Sequence, residues 1–250
     1  MTTTETEGLP TNSTWVPFPK PLGHKCYGSI GHLPGSKLGP GDHKIQDGQA
    51  RILTTKKRDK HDRIIVQEKY DGSGVGVAKI YGKLVPLLRA GHRATNSKQL
   101  QHLYFHNWVM ERQEKFDWLQ EGQRICGEWL AQVHSTAYDL DDDIVFVAFD
   151  IMEGEKRWPY DLFRKITSKH GITRARLIHE GDPISIEEAA HKLFTLWDIA
   201  IDKPEGLVYR VENKDKVDFL GKWVRLDFEN KCEENFKNIK WNWQPRNKND

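Results

Sequence analysis

The sequence predicts an α+β fold, with mostly antiparallel sheets and flanking helices. Two observations lead there. Seven short strand-like runs are interrupted by only two long helical stretches, and they show no regular strand–helix–strand alternation that would build a parallel sheet. The 250 residues are 37% hydrophobic and 10% aromatic, which is enough material for a sizeable core.

In chain order, residues 1–14 read as a disordered tail, rich in Thr, Glu, Gly, Pro, Asn and Ser. Residues 15–60 form a Gly/Pro-rich, then basic, segment expected to pack on the main domain. Within it Gly28, Gly31, Gly35, Gly39 and Gly41, with Pro34 and Pro40, predict a long loop over 27–43. The main domain is expected over 61–230, and residues 231–250 form a basic, Trp-containing tail.

Strands are predicted at 64–68, 74–80 and 84–89, with Gly82-Lys83 as the tight turn between the last two. A helix is predicted over 97–119, burying a stripe of Leu100, Leu103, Tyr104 and Trp108. Strands return at 124–130 and 144–150. The box Ser185-Ile186-Glu187-Glu188 starts a second helix, whose buried face carries Leu193, Phe194 and Trp197. Strands at 206–211 and 217–225 complete the set.

Composition excludes several classes. The 38 Lys+Arg and 36 Asp+Glu nearly cancel at +2, which rules out a polycation but leaves room for a local basic surface. The longest apolar run, 144–149, is too short for a bilayer, so no membrane partner is expected. Three cysteines (Cys26, Cys126, Cys232) make no disulfide framework and no Cys-x-x-Cys zinc site. The polar N-terminus lacks an apolar signal region, which points to the cytoplasm.

Some motifs fail on inspection. Gly72-Ser73-Gly74-Val75-Gly76 resembles a dinucleotide fingerprint, but a strand rather than a helix follows it. Gly82-Lys83 and Gly221-Lys222 lack the flanking residues of a phosphate loop. His102 and His106, four apart on a helix, are expected to be a solvent-facing pair, because no third zinc ligand lies nearby. The acidic run 139–143 reads as a solvated turn.

One ordered series carries chemistry. Lys69 ends an apolar strand in Glu68-Lys69-Tyr70-Asp71-Gly72. Arg89 ends another in Leu87-Leu88-Arg89-Ala90-Gly91. Then come Gly127-Glu128-Trp129, Ala148-Phe149-Asp150-Ile151, Pro204-Glu205-Gly206-Leu207-Val208 and Gly221-Lys222-Trp223-Val224-Arg225. Each is common alone, and the order is what distinguishes them.

In that order, residues 64–228 resemble the covalent nucleotidyltransferases, namely ATP-dependent DNA and RNA ligases and mRNA capping enzymes. The similarity is strongest to the RNA ligase 2 group, and it implies an ATP-grasp-like ligase domain. It implies that Lys69 becomes covalently joined to AMP, that Glu128 recognises ribose, and that Phe149 stacks on adenine. Arg89 would contact a phosphate or the polynucleotide end. Glu205 would meet a metal, Mg²⁺ or Mn²⁺, with Asp71 beside it. Glu68 would join the nucleotide contacts, and Lys222 is the lysine of the last motif. Two positions depart from the group: Gly74 stands where its members carry Asn, and Leu220 replaces the first lysine of the last motif, with Arg225 as a substitute. Phe149 as a core residue and Arg89 as a surface ion-pair member are the alternatives.

A lysine nucleophile must be neutral, yet its reference pKa is about 10.4. Burial, or a cationic field from Lys222, Arg225 and the metal, is expected to lower it. The expected activity is ATP-dependent joining of RNA 5′-phosphate and 3′-hydroxyl ends by a monomer, through lysyl–AMP and RNA–adenylate. A minimal DNA ligase, a polynucleotide 5′-adenylyltransferase and a non-catalytic end-binding module are the alternatives. Only 25 residues follow Arg225, so no C-terminal OB domain is expected.

For the polynucleotide, Arg51, Lys56, Lys57, Arg58, Lys60 and Arg63 outnumber Asp59 and Asp62 just before the Lys69 strand. Lys56, Lys57, Arg58, Lys60 and Arg93 are the candidates for nucleic-acid contact, with a solvated charged hairpin as the alternative. Trp241 and Trp243 either stack on bases or cap the core.

Overall fold

The computed structural model describes residues 20–195, 199–231 and 238–245. The elements in order are β1 (Gly31–His32), α1 (Asp47–Thr54), β2 (Asp62–Lys69), β3 (Ser73–Ile80) and β4 (Lys83–Leu88). After these come α2 (Leu100–Glu111), β5 (Gln123–Trp129), β6 (Phe146–Glu153), β7 (Lys156–Arg157) and α3 (Tyr160–Lys169). The chain continues through β8 (Leu177–Gly181), α4 (Ile186–Thr195), β9 (Gly206–Asn213) and β10 (Lys216–Val224).

Among the described residues ten strands form two five-stranded sheets, ordered β1-β10-β9-β2-β8 and β4-β3-β5-β6-β7. Every pairing between these strands is antiparallel except β1 with β10. This is the α+β architecture the sequence predicts. Alternation along β2 explains how one strand serves two cores. Ile64 and Val66 pack with Ala50 and Leu53 of α1 and with Ala189, Ala190 and Leu193 of α4. Ile65 points the other way, into the large core with Phe105, Trp108, Trp129 and Phe146. Gln67 and Lys69 follow Ile65 on that inner side.

The β3–β4 turn differs from the expectation by one residue. Ile80 pairs with Lys83, so the loop residues are Tyr81 (φ 50°) and Gly82 (φ 70°). Two positive φ values make the primed turn that suits a twisted hairpin, and Tyr81 tolerates this at the exposed tip.

The helix expected over 97–119 is shorter. The Ser97 hydroxyl accepts the Gln99 N–H at 3.1 Å, which holds the chain in a turn ahead of α2. Its buried face is Gln101, His102, Phe105, Trp108 and Val109, while Leu100 and Leu103 are exposed. Of the expected stripe Trp108 is buried and Tyr104 packs half-buried on the core, so only the two leucines were misplaced. His102 is consequently inside rather than facing solvent, between Ser73 Oγ at 2.9 Å and Ser97 Oγ at 2.6 Å. Burial pushes its pKa down to about 4, so it is neutral.

The second predicted helix starts as expected. Ser185 Oγ accepts the Glu188 N–H at 3.1 Å, and Leu193 is buried, while Trp197 lies outside the described residues. Helices α1 and α3 were not anticipated. Gly48 and a sparse apolar pattern mask α1, although α3 does place Tyr160, Phe163 and Thr167 on one buried face.

Trp241 and Trp243 cap the core. Trp243 lies edge-on to Trp129 at 5.6 Å and donates to Asp142 at 2.6 Å, and Trp241 packs on Tyr104 at 5.2 Å. The acidic run is a turn, with Asp141 accepting the N–H groups of Asp143 and Ile144. Cys26 and Cys126 are buried free thiols, and Cys232 lies outside the described residues. Among the described residues no helix is long and apolar enough to cross a membrane.

Candidate active site

A cleft of about 250 Å³ opens where the two sheets face each other. Strands β2, β9 and β10 supply Lys69, Val208, Arg210, Leu220 and Lys222 to one wall. The second sheet supplies Gly74, Glu128, Phe149 and Asp150, with Arg89 just past β4. Residues far apart in the chain thus meet because of register. Lys69 pairs with Gly206, which puts Glu205 at the adjoining strand start, and Gly74 pairs with Glu128.

At the floor, Lys69 Nζ donates to Glu205 Oε2 at 2.6 Å. Burial pulls the lysine pKa down, but the carboxylates of Glu205, Glu128 and Asp71 outweigh it and hold the ammonium above its ordinary range. This reverses the expected depression, because the nearest charges are anionic. Burial also pushes the Glu128 carboxyl up to about 7, against the pull of Lys69. The same desolvation raises Glu205.

The opposite wall is aromatic and cationic. Phe149 is half-buried and meets Tyr27 edge-on, with ring centroids 4.9 Å apart. Tyr27 donates to Asp150 at 2.5 Å, and Asp150 also pairs with Arg157 at 3.3 Å and with buried Arg210. Three cationic or hydroxyl donors thus satisfy one buried carboxylate, which fixes Phe149 beside it. Arg89 donates its backbone N–H to the Gly74 carbonyl at 2.9 Å. A Cβ at Gly74 would lie 3.3 Å from Arg89 Cδ, so the glycine makes room for the guanidinium stem.

Lys222 enters from β10 and is tethered by the N-terminal strap of residues 20–46. Its Nζ lies 3.4 Å from Asp42 Oδ1, while His32 Nε2 meets Asp42 Oδ2 at 3.1 Å. The parallel pairing of His32 with Lys222 brings these groups together. Burial and the neighbouring Lys69 hold Lys222 below the usual lysine range. Tyr27, His32 and Asp42 were missed in the sequence because no spacing marks them within the Gly/Pro-rich loop.

Other expected site residues sit elsewhere or are already engaged. Arg225 lies outside the cleft and donates to the carbonyls of Pro204 at 3.0 Å and Lys203 at 3.3 Å. Glu68 lines the cleft but is paired with Arg176 at 2.9 Å. Asp71 Oδ2 accepts the N–H groups of Ser135 at 2.7 Å and Thr136 at 2.8 Å, anchoring that loop. The basic run lies at the far end of β2, roughly 23 Å from Lys69 for seven residues of strand rise. There Arg58 pairs with Asp62 and Asp218, Lys57 with Asp182, and Arg63 with Asp161 and Glu180. Lys56 and Lys60 are exposed on the same turn, and Arg93 is exposed four residues past Arg89.

Among the described residues no group of three or more His, Cys, Asp and Glu forms a ready metal site. The donor chemistry still fits a hard divalent ion. Glu128 and Glu205 are carboxylates whose burial is only partly compensated by Lys69. Such ions are commonly held by one or two carboxylates together with substrate phosphates.

An archaeal ATP-dependent RNA ligase is 22% identical over 66% of this chain and 43% of that chain, with a TM-score of 0.47. A putative ATP-dependent DNA ligase from Aquifex aeolicus is 14% identical over 80% of this chain and 49% of that one, at 0.49. A Naegleria gruberi RNA ligase variant with AMP and Mn is 12% identical over 81% and 61%, at 0.48. The chain therefore spans less than half of the archaeal and Aquifex chains. Among curated proteins no match to this sequence is found. The family comparison is direct: the RNA ligase family matches residues 62–224, from the first residue of β2 to the last of β10 and well over half of the chain. This protein belongs to the RNA ligase family.

Proposed function

We propose that the chain catalyses ATP-dependent RNA ligation, joining 5′-phosphate and 3′-hydroxyl ends as a monomer. The observation that carries this reading is the Lys69–Glu205 pair at 2.6 Å on the floor of a cleft walled by Glu128, Phe149, Arg89 and Lys222. In this reading Lys69 Nζ loses its proton, with Glu205 as the adjacent acceptor. The amine attacks the α-phosphorus of ATP. A P–N bond forms, the P–O bond to the β-phosphate breaks, and pyrophosphate leaves. The RNA 5′-phosphate then displaces Lys69 from the AMP, and the 3′-hydroxyl of the second end displaces AMP.

Phe149 supports the base by stacking, and Glu128 accepts from a ribose hydroxyl. Lys222 and Arg89 balance phosphate charge as it redistributes. A bound Mg²⁺ or Mn²⁺ would neutralise triphosphate charge, with Glu205 as its protein ligand. The expected location is the cytoplasm.

The test is incubation with a divalent metal and α-labelled ATP, followed by denaturing electrophoresis. Label retained by wild type and lost in Lys69→Ala supports the reading. Absence of label on protein first stripped of bound AMP with pyrophosphate refutes it. Sealing of nicked all-DNA duplexes without any RNA joining would move the assignment to DNA.

A further inference from the structure

We infer that the 5′-phosphorylated RNA strand reaches Lys69 across a basic shelf at the cleft mouth, built jointly by the N-terminal strap and the turn after β4. Lys20, Lys25, Arg89 and Arg93 are its cations. This rests on the ligase reading and adds to it the surface on which the strand lies.

Charge distribution is the first support. Residues 20–41 contain no Asp or Glu, and neither do residues 72–110, although the chain as a whole is nearly neutral. The fold brings these two acid-free segments together. Tyr27 donates its N–H to the Arg89 carbonyl at 3.2 Å, and Arg89 Nη2 reaches the Gly28 carbonyl at 3.5 Å. Gly91, at φ +94°, lies so close to the strap that a Cβ would stand 3.3 Å from Lys20 Cδ and against the His24 carbonyl. Only glycine suits both that backbone and that approach.

The second support is the state of the cations. Among the described residues Lys20, Lys25 and Arg93 form no ion pair with a carboxylate, and Arg89 feels the Glu128 carboxylate without a close ion pair. The basic run before β2 is different, since Lys57, Arg58 and Arg63 are all paired with acidic groups. Unpaired cations retain their full attraction for phosphate, whereas paired ones must first give up a partner.

Position decides the ligand. Arg89 lines the cleft that holds Lys69, while Lys25 and Arg93 stand on the surface outside it. A mononucleotide in the cleft leaves these outer cations unused, but a strand whose terminal phosphate sits at Lys69 must pass its next phosphates over the mouth. The strap lies before residue 62, where the family match begins.

The experiment is a salt titration of binding, by fluorescence anisotropy, to a single-stranded RNA oligonucleotide with a 5′-phosphate and a 3′ dye. No ATP is present, so failure of adenylylation does not mask the result. For single strands each lost phosphate contact reduces the slope of log affinity on log salt by roughly 0.7, so the combined variant Lys20→Gln, Lys25→Gln, Arg93→Gln should lower it by about 2. Lys56→Gln with Lys60→Gln, on the distant turn, should leave the slope unchanged. A native unfolding midpoint verifies the triple variant, and the three single variants serve in its place if it unfolds. An unchanged slope in a folded variant, a loss in the distant pair instead, or no RNA binding by wild type overturns the shelf. Labelling of wild type by ATP is scored separately and decides only the ligase reading.

Discussion

Lys69 Nζ and Glu205 Oε2 lie 2.6 Å apart because β2 and β9 are in register at Lys69 and Gly206. Lys69 is therefore held as an ammonium, neutralised by the acid beside it, and its pKa is raised rather than lowered. The proposed reaction must begin by breaking that pair.

Raised basicity predicts low amine reactivity in the free protein. Labelling of Lys69 by an amine-selective acylating reagent, followed by peptide mapping, should increase steeply with pH below its pKa. Glu205→Gln removes the nearest anion and moves that curve to lower pH; each unit of displacement is about a tenfold gain in neutral amine at fixed pH. A curve that stays in place would show that Glu205 does not set the charge of Lys69.

Glu128 predicts a conflict between stability and chemistry. Its carboxyl, pushed by burial from 4.5 up to about 7, binds a proton in the folded state that the unfolded chain has released. Stability should therefore fall as pH rises through that interval. Glu128→Gln removes this penalty and should stabilise the protein by about 1–3 kcal/mol near pH 8, with little gain near pH 4.5. Urea unfolding at the two pH values checks this, and the same variant should lose adenylylation.

Asp42 predicts that the strap sets the position of Lys222. Asp42→Asn places an amide where both Lys222 and His32 need an acceptor. Adenylylation should slow by roughly three- to tenfold, about 1 kcal/mol in barrier. The change should appear in kcat more than in the KM for ATP, since the cleft walls remain. Single-turnover rates across an ATP series make the distinction.

Gly76 predicts a purely structural effect. A Cβ there would stand 2.5 Å from Cys26 Sγ and 2.9 Å from the Ile125 carbonyl oxygen. Gly76→Ala should cost about 1–3 kcal/mol by overpacking. Cys26→Ala in the same chain should recover part of that loss, because the crowding thiol is gone. Denaturant midpoints of the two single variants and the double variant measure the coupling.

Much of the strand framework was legible because hydrophobic alternation and turn residues are local signals. β2, β3, β9 and β10 fall within a few residues of their expected bounds. Helix α2 was read less well. Leu100 and Leu103 look like core residues by composition, but α2 turns Phe105 and Val109 into the core and leaves both leucines exposed. The strap was legible only as a loop. Its use of Tyr27 to satisfy Asp150, and of Asp42 to hold Lys222, depends on contacts across more than a hundred residues of chain.

The sequence by itself determined which residue types stand in which order, because strand alternation and the spacing of Lys69, Arg89, Glu128, Phe149, Glu205 and Lys222 are properties of the chain alone. Only the tertiary structure decided their charge states and their company. A pKa depends on which groups a fold brings within a few ångströms, and here strand register placed Glu205 against Lys69. The same long-range pairing tied Arg58 and Arg63 to acids and, among the described residues, left Lys25 and Arg93 without an ion pair, a distinction no local count of charges contains.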